Sequence, residues 1–353
     1  MKQINVGLLG FGISGRVFHA PIFTSVEGFH LSKIFTRSEQ KKEQAGLLYP
    51  EADVVDNVES IIDDPNIDLI VIALPNTSHY EMAERSLIAG KHVVVEKPFT
   101  NTTEEATALI HTSKEEEKLL SVFHNRRYDG DFLTLKTIID NNTLGDIKEF
   151  ESHFDRFRTA TNSKLWRESM LPGSGILFDL GSHLIDQAVQ LFGMPNEVYA
   201  DIRTQRPNSL VDDNFEIILY YTDLKVTLKS GMLVKEPLPR FILLGDKGSY
   251  VKYGVDPQEA ELKQNFRPDE WEDWGLEDPA NYGTINYIEN DINIRGSVET
   301  LAGNYTIYYQ NIYDAIVNGK SLEVTADQAR DVIHLIELAK ESNVEKRRIS
   351  LTE

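Results

Sequence analysis

Lys97, Asp179 and His183 are the residues of this chain whose types and surroundings best suit them to move a proton or hold a developing charge. Lys97 stands in His92-Val93-Val94-Val95-Glu96-Lys97-Pro98. Three successive valines predict a strand that is apolar on both faces, as in a parallel sheet. Proline then stops the ladder, because it has no N–H to donate. Glu96 and Lys97 therefore fall at the carboxyl end of a buried strand, the edge at which open α/β sheets bind ligands. An ammonium there can stabilise negative charge on a ligand oxygen; an ordinary surface ion pair would use the same two residues.

Asp179 and His183 lie in Gly173-Ser174-Gly175-Ile176-Leu177-Phe178-Asp179-Leu180-Gly181-Ser182-His183. The apolar pattern continues through Val189, Leu191 and Phe192 and stops at Gly193, with Pro195 beyond, which predicts a helix. A spacing of four places the two side chains on one face. There His183 can serve as a general base oriented by Asp179, although a helix salt bridge explains the pair equally well. A third and a fourth ligand at sensible spacing are missing, so no metal is expected. Gly181 inside a helix predicts close approach of something at that face.

The third chemical element is Gly10-Phe11-Gly12-Ile13-Ser14-Gly15, between the apolar run Ile4–Leu9 and a helix opening at Arg16. In a strand–turn–helix setting this pattern cradles a dinucleotide. One glycine makes the turn, the next lets a pyrophosphate approach the backbone, and the last lets helix and strand pack closely. A second strand over 31–35 runs into Thr36-Arg37-Ser38, with no acid before Glu39. An acid would accept from a ribose 2′-hydroxyl; an arginine between two hydroxyls suits a 2′-phosphate, and so favours NADP.

The elements that must position these residues read as two domains. Over residues 1–123, strands alternate with helices at 80–89 and 103–119, which predicts a parallel, doubly wound sheet. Pro75, Asn76 and His79 follow the strand 68–73, on the ligand edge, where Asn76 also suits a helix cap and His79 a packed position. His124-Asn125-Arg126-Arg127 follows the last strand of this half. Over 124–353 short strands separated by turn signals predict a mostly antiparallel sheet in an α+β domain. The segment 256–284 is acidic and poorly periodic and reads as one ordered loop anchored by Trp271 and Trp274. Phe215, Ile217, Ile218, Leu219, Tyr220 and Tyr221 run almost without a break, which puts apolar residues on both faces and predicts a homo-oligomer built on a dimer.

Composition bounds the rest. The 353 residues are 41% hydrophobic and 26% charged, with a net charge of −20 and no cysteine. Disulfides and thiolate catalysis are excluded, a cytoplasmic location is expected, and neither a nucleic-acid partner nor a membrane span is indicated.

Taken together, Gly10/Gly12/Gly15, Glu96-Lys97-Pro98 and Gly173-x-Gly175-x-x-x-Asp179-x-Gly181-x-His183 resemble the Gfo/Idh/MocA family of sugar and polyol dehydrogenases. Within it the chain is most similar to NADP-dependent scyllo-inositol 2-dehydrogenases, through Gly12 to His19, His124 to Arg127, Trp166-Arg167 and Leu191 to Pro195. The resemblance implies an N-terminal Rossmann domain followed by an α+β domain with a large open sheet, and often a dimer. It implies catalytic roles for Lys97, Asp179 and His183. Candidate cofactor contacts are Gly10, Gly12, Ile13, Ser14, Gly15, Thr36, Arg37, Ser38, Pro75, Asn76, His79, Glu96, Lys97, Asn125 and Arg126. Candidate substrate contacts are Lys97, Arg126, Trp166, Arg167, Asp179 and His183, facing a small polyol or sugar. Pro172 and Ser174 stand where the family often has further glycines. The expected activity is NADP-dependent hydride transfer at a secondary carbinol. A non-catalytic NADP-binding regulator on the same fold is the alternative.

Overall fold

In the computed structural model, residues 2–161 and 168–351 are described. The chain divides into two compact units. Unit one comprises Met1–Asn125, Gln258–Trp274 and Asn304–Asp331; unit two comprises Arg126–Pro257, Gly275–Gly303 and Val332–Glu353.

Unit one is built on β1 (Ile4–Leu9), β2 (Phe29–Phe35), β3 (Asp53–Val55), β4 (Leu69–Ile72), β5 (His92–Val95) and β6 (Leu120–Val122). These pair in the order β3-β2-β1-β4-β5-β6, parallel throughout. The order reverses beside β1, so β1 and β4 flank the switch point at which doubly wound sheets hold ligands. The apolar runs of β4 and β5 are fully buried, as a sheet covered on both faces requires. The helix at Thr103–Glu115 begins where Thr102 accepts from the Glu105 N–H at 3.1 Å, while the Glu105 carboxylate accepts from the Asn101 N–H at 2.9 Å. It ends before Leu119 because Glu117 turns left-handed (φ 52°) and the Lys118 N–H returns to the Ser113 carbonyl.

Among the described residues unit two carries nine strands: β7 (Ile147–His153), β8 (Glu197–Arg203), β9 (Asn214–Tyr220), β10 (Lys225–Gly231), β11 (Phe241–Gly245), β12 (Gly248–Lys252), β13 (Gly283–Glu289), β14 (Ile292–Val298) and β15 (Ile349–Ser350). Their order is β14-β13-β12-β11-β7-β10-β9-β8-β15, antiparallel except for the β7/β10 pair. On β9, Phe215, Ile217 and Leu219 are buried, while Glu216, Ile218 and Tyr220 on the other face are half-buried. That second face carries the cross-strand pairs Lys225–Glu149 and Lys229–Glu216, each 3.0 Å.

The acidic segment differs from the single loop the sequence suggests. It contains a helix, Gln258–Lys263, and its last residues open β13. Trp274 is a buried anchor: its Nε1–H donates to Gln258 at 3.1 Å, and Gln258 also accepts from the Tyr305 N–H at 2.8 Å. Trp271 is not; it is 39% exposed and stacks on Phe266 at 4.4 Å. Among the described residues, no helix is long and apolar enough to cross a membrane.

Candidate functional site

The glycine turn of unit one gives each glycine its own physical reason. Gly10 has φ 107°, and a β-carbon there would lie 2.5 Å from the Ala73 carbonyl oxygen at the end of β4. A β-carbon at Gly15 would lie 1.9 Å from the Gly10 carbonyl oxygen. At Gly12 it would meet nothing nearer than the Lys41 ammonium, at 4.0 Å. Gly10 and Gly15 are thus required by the fold, whereas Gly12 leaves open backbone beside a cation, as the approach of a pyrophosphate requires. From Ser14 to His19 the chain forms a π-helical turn, a feature frequent at functional sites. Ile13 is exposed beside it.

At the end of β2, Thr36 is buried and its N–H donates to the Val55 carbonyl at 3.0 Å. Arg37 and Ser38 are exposed, with the Arg37 guanidinium 5.6 Å from the centre of the Phe35 ring. Lys41, one turn beyond Arg37, sets its ammonium at the glycine turn.

Beyond β4, Pro75 is exposed and Asn76 is buried, its amide donating to the Asn101 side chain at 3.0 Å. His79 is buried, with Nδ1 2.8 Å from the Pro98 carbonyl oxygen and Nε2 3.0 Å from the Leu74 carbonyl oxygen. Beyond β5, Glu96 is buried and Lys97 half-buried. Glu96 Oε1 lies 3.6 Å from His19 Nε2, and His19 Nδ1 lies 2.6 Å from the Tyr309 hydroxyl. Burial, together with the charges of Tyr308 and Glu96, holds the Tyr309 phenol well above its usual range, so it stays protonated. Asn125, the last residue of the first stretch of unit one, is buried.

Unit two holds the other candidates. Arg126 is buried, 3.2 Å from Asp129, with its guanidinium 4.7 Å from the centre of the Phe154 ring. Arg127 grips Asp186 with two hydrogen bonds, 2.8 and 2.6 Å, where both side chains are buried. Asp186 lies three residues beyond His183, and nothing in the sequence marks Arg127 as its partner. Trp166 and Arg167 lie outside the described residues.

The Asp179/His183 stretch is not one regular helix. Leu177–Gly181 is a second π turn, and the α-helix begins at Ser182. Its i→i+5 bonding places Asp179 in the π turn and His183 in the first α turn, instead of one α turn apart. The turn is set from a distance. A β-carbon at Gly175 (φ 94°) would lie 2.1 Å from Asp212 Oδ1, and Asp212 Oδ2 accepts from the Leu177 N–H at 2.7 Å. Burial pushes the Asp212 carboxyl above the usual carboxylate range. What approaches Gly181 is the Leu177 side chain, 3.1 Å from where a β-carbon would stand, and then the Phe215 ring of β9, at 3.4 Å. His183 is buried, and Asp179 faces a cavity of about 90 Å³ lined by Arg156, Arg158, Glu168, Arg206 and Asp212 among others.

Sheet order, glycine turn and open backbone at Gly12 define unit one as a dinucleotide-binding domain of the doubly wound class. A profile described as the NAD-binding Rossmann fold of an oxidoreductase family matches residues 4–124, and one for that family's C-terminal alpha/beta domain matches 136–351. The chain belongs to the Gfo/Idh/MocA family of oxidoreductases. It is 40% identical over 352 residues, 99% of this chain and 97% of the relative, to the scyllo-inositol 2-dehydrogenase (NADP(+)) IolW of Bacillus subtilis. It is 43% identical to YdgJ of Escherichia coli, an uncharacterized oxidoreductase, over 96% of each chain. The solved structure of yvaA from Bacillus subtilis superposes with a TM-score of 0.95 at 40% identity, covering 99% of both chains.

Proposed function

We propose that the protein is an NADP-dependent dehydrogenase of a cyclic polyol or sugar, with scyllo-inositol and its ketone as the first pair to test. The observation that carries the cofactor choice is the end of β2, where Arg37 is exposed between two hydroxyl residues and no acid precedes Glu39. A guanidinium gains an anionic partner only from a 2′-phosphate. Lys41, beside Gly12, adds a cation within the same unit. The substrate class draws on the similarity to IolW over the full chain.

In this reading the main chain of Gly10 to Gly15 holds the pyrophosphate and Thr36, Arg37 and Ser38 hold the 2′-phosphate. When bound, the nicotinamide supplies the redox chemistry, exchanging a hydride with a carbinol carbon. The protein's own groups manage charge and proton. His183 takes the hydroxyl proton, Asp179 orients the ring, and the Lys97 ammonium stabilises alkoxide character on the oxygen. Arg156 and Glu168, which share the cavity with Asp179, offer a donor and an acceptor for further hydroxyls. A homodimer, or a dimer of dimers, and a cytoplasmic setting complete the proposal; the half-buried apolar residues Ile218 and Tyr220 on the second face of β9 support the assembly.

The test is a panel of polyols and sugars with NADP and NAD, read at the NADPH absorbance band. Turnover of scyllo-inositol with NADP in preference to NAD is expected. Tight NADPH binding without oxidation of any member of the panel would establish the regulator instead.

A further inference from the structure

Lys97 reaches the ligand edge near the start of the loop that follows β5, and the loop containing Leu74 follows the neighbouring β4. One imidazole spans the two. His79 is 1% exposed, with Nδ1 on the Pro98 carbonyl and Nε2 on the Leu74 carbonyl. Carbonyl oxygens only accept, so both contacts are hydrogen bonds only for an imidazolium. Burial pushes the His79 pKa below its ordinary value, against the opposing pull of the two carbonyls and of Glu96. The ring is therefore neutral at physiological pH and carries a single N–H. It donates to one carbonyl and turns a lone pair toward the other. Donation from Nδ1, the shorter contact, holds the peptide between Pro98 and Phe99, one peptide beyond the one that joins Lys97 to Pro98. Donation from Nε2 holds the β4 loop instead. Further along, the Lys97 loop is anchored at Asn101, which bonds both Glu105 and Asn76.

We propose that His79 is a positioning residue for Lys97: its Nδ1–H, donated to the Pro98 carbonyl, fixes the direction in which the Lys97 side chain leaves the end of β5. Both ring nitrogens of the imidazole face main-chain carbonyls. The inference rests on Lys97 being an active-site group.

Asparagine reproduces a donor at the Nδ1 position and glutamine one at Nε2, so the two replacements separate the two carbonyls. His79→Asn, His79→Gln and His79→Ala are compared in the full chain. The first readout needs no substrate: the rate at which acetic anhydride labels Lys97, relative to the exposed Lys346, by mass spectrometry. The second is kcat and KM for scyllo-inositol with NADP, beside NADPH titration by fluorescence. The asparagine variant should label Lys97 at close to the parent's rate and lose less kcat than the other two. The glutamine and alanine variants should label Lys97 at least about threefold faster and lose about tenfold or more in kcat, since small misplacements of a reacting group cost up to about a hundredfold. Their NADPH affinity should change less than about threefold, because the phosphates are held elsewhere.

Equal behaviour of the asparagine and glutamine variants, or unchanged Lys97 labelling in the alanine variant, overturns the proposal. So does a failure of both amide variants to fold, which would make His79 a support of the whole unit; if only the alanine variant fails, the amide pair decides. A labelling split in a parent that does not turn over scyllo-inositol upholds the role of His79 and sinks the substrate assignment alone.

Discussion

The two π turns, Ser14–His19 in unit one and Leu177–Gly181 in unit two, follow glycines with positive φ, carry candidate site residues themselves and lead into α-helices. They are specified in different ways. In the first, Gly15 is held against the carbonyl of Gly10, five residues away, and Gly10 against the end of the adjacent strand. In the second, the space at Gly175 and the N–H of Leu177 are both claimed by one carboxylate, Asp212, more than thirty residues further along the chain. A turn set by backbone against backbone within a few residues leaves a short glycine pattern in the sequence. A turn set by a distant side chain leaves only a glycine and an unremarked acid.

The largest effects are expected at the proposed charge and proton groups, one in each unit. Lys97→Ala in unit one and His183→Ala in unit two should each lose at least about a hundredfold in kcat, the low end for an acid–base or oxyanion group. NADPH affinity should fall far less in both, and Asp179→Asn should be milder than His183→Ala. Near-normal turnover in both alanine variants would reduce Lys97 to a structural ion pair.

Next comes the distinction between fold glycines and ligand glycines. Gly12→Ala should leave the melting temperature almost unchanged, because its β-carbon finds space, while cofactor affinity drops. Arg37→Ala should weaken NADP by about ten- to a hundredfold, the worth of roughly 1.5–3 kcal/mol for a hydrogen bond to a charged group, and leave NAD as it was. Cofactor titrations of both variants, with calorimetry of the first, check this; an Arg37→Ala protein that retains its NADP preference removes the basis for the cofactor assignment.

The distant control of the second turn predicts coupling. Gly175→Ala should destabilise the protein both by its φ and by collision with Asp212. Adding Asp212→Ala should relieve the collision and leave the φ strain, giving an interaction energy of about 0.5–3 kcal/mol in a double-mutant cycle. Strict additivity of the two changes would mean that the turn is set locally after all.

The smallest effect is a pH dependence. The raised pKa of Asp212 means that the folded protein holds this proton more tightly than the unfolded chain. The associated stability is present at low pH and is lost as pH rises from the ordinary carboxylate range through the folded value. Asp212→Asn removes that dependence, so the variant should gain on the parent as pH rises across this window. Parallel melting curves against pH for the two proteins would count against an ionised Asp212 under the turn.

Much of unit one was legible because its signals are short-range. Continuous apolar runs are what a sheet covered on both faces demands, and they located β4 and β5 to within a residue or two. The helix ends were less so: the run to Leu119 stops at Glu115 because the chain reverses through a left-handed Glu117. In unit two the β13–β14 hairpin escaped notice because both of its faces are largely exposed and the usual contrast of buried and exposed positions is weak. Its signal was Asn290-Asp291 between flanking isoleucines; both residues have positive φ, 50° and 64°, as a two-residue hairpin turn requires.

Residue types and spacing by themselves determined the parallel sheet, the glycine turn, the charge at the end of β2 and the placing of Lys97 at a strand terminus. Each follows from chain geometry over a few residues, where periodicity and the special conformations of glycine and proline dominate. Only the tertiary structure decided that His79 sets its two ring nitrogens against two main-chain carbonyls, that Arg127 is gripped by Asp186, and that Asp212 shapes the turn bearing Asp179. Buried polar groups must find partners wherever the fold supplies them, and those partners are fixed by three-dimensional proximity, which spacing along the chain does not encode.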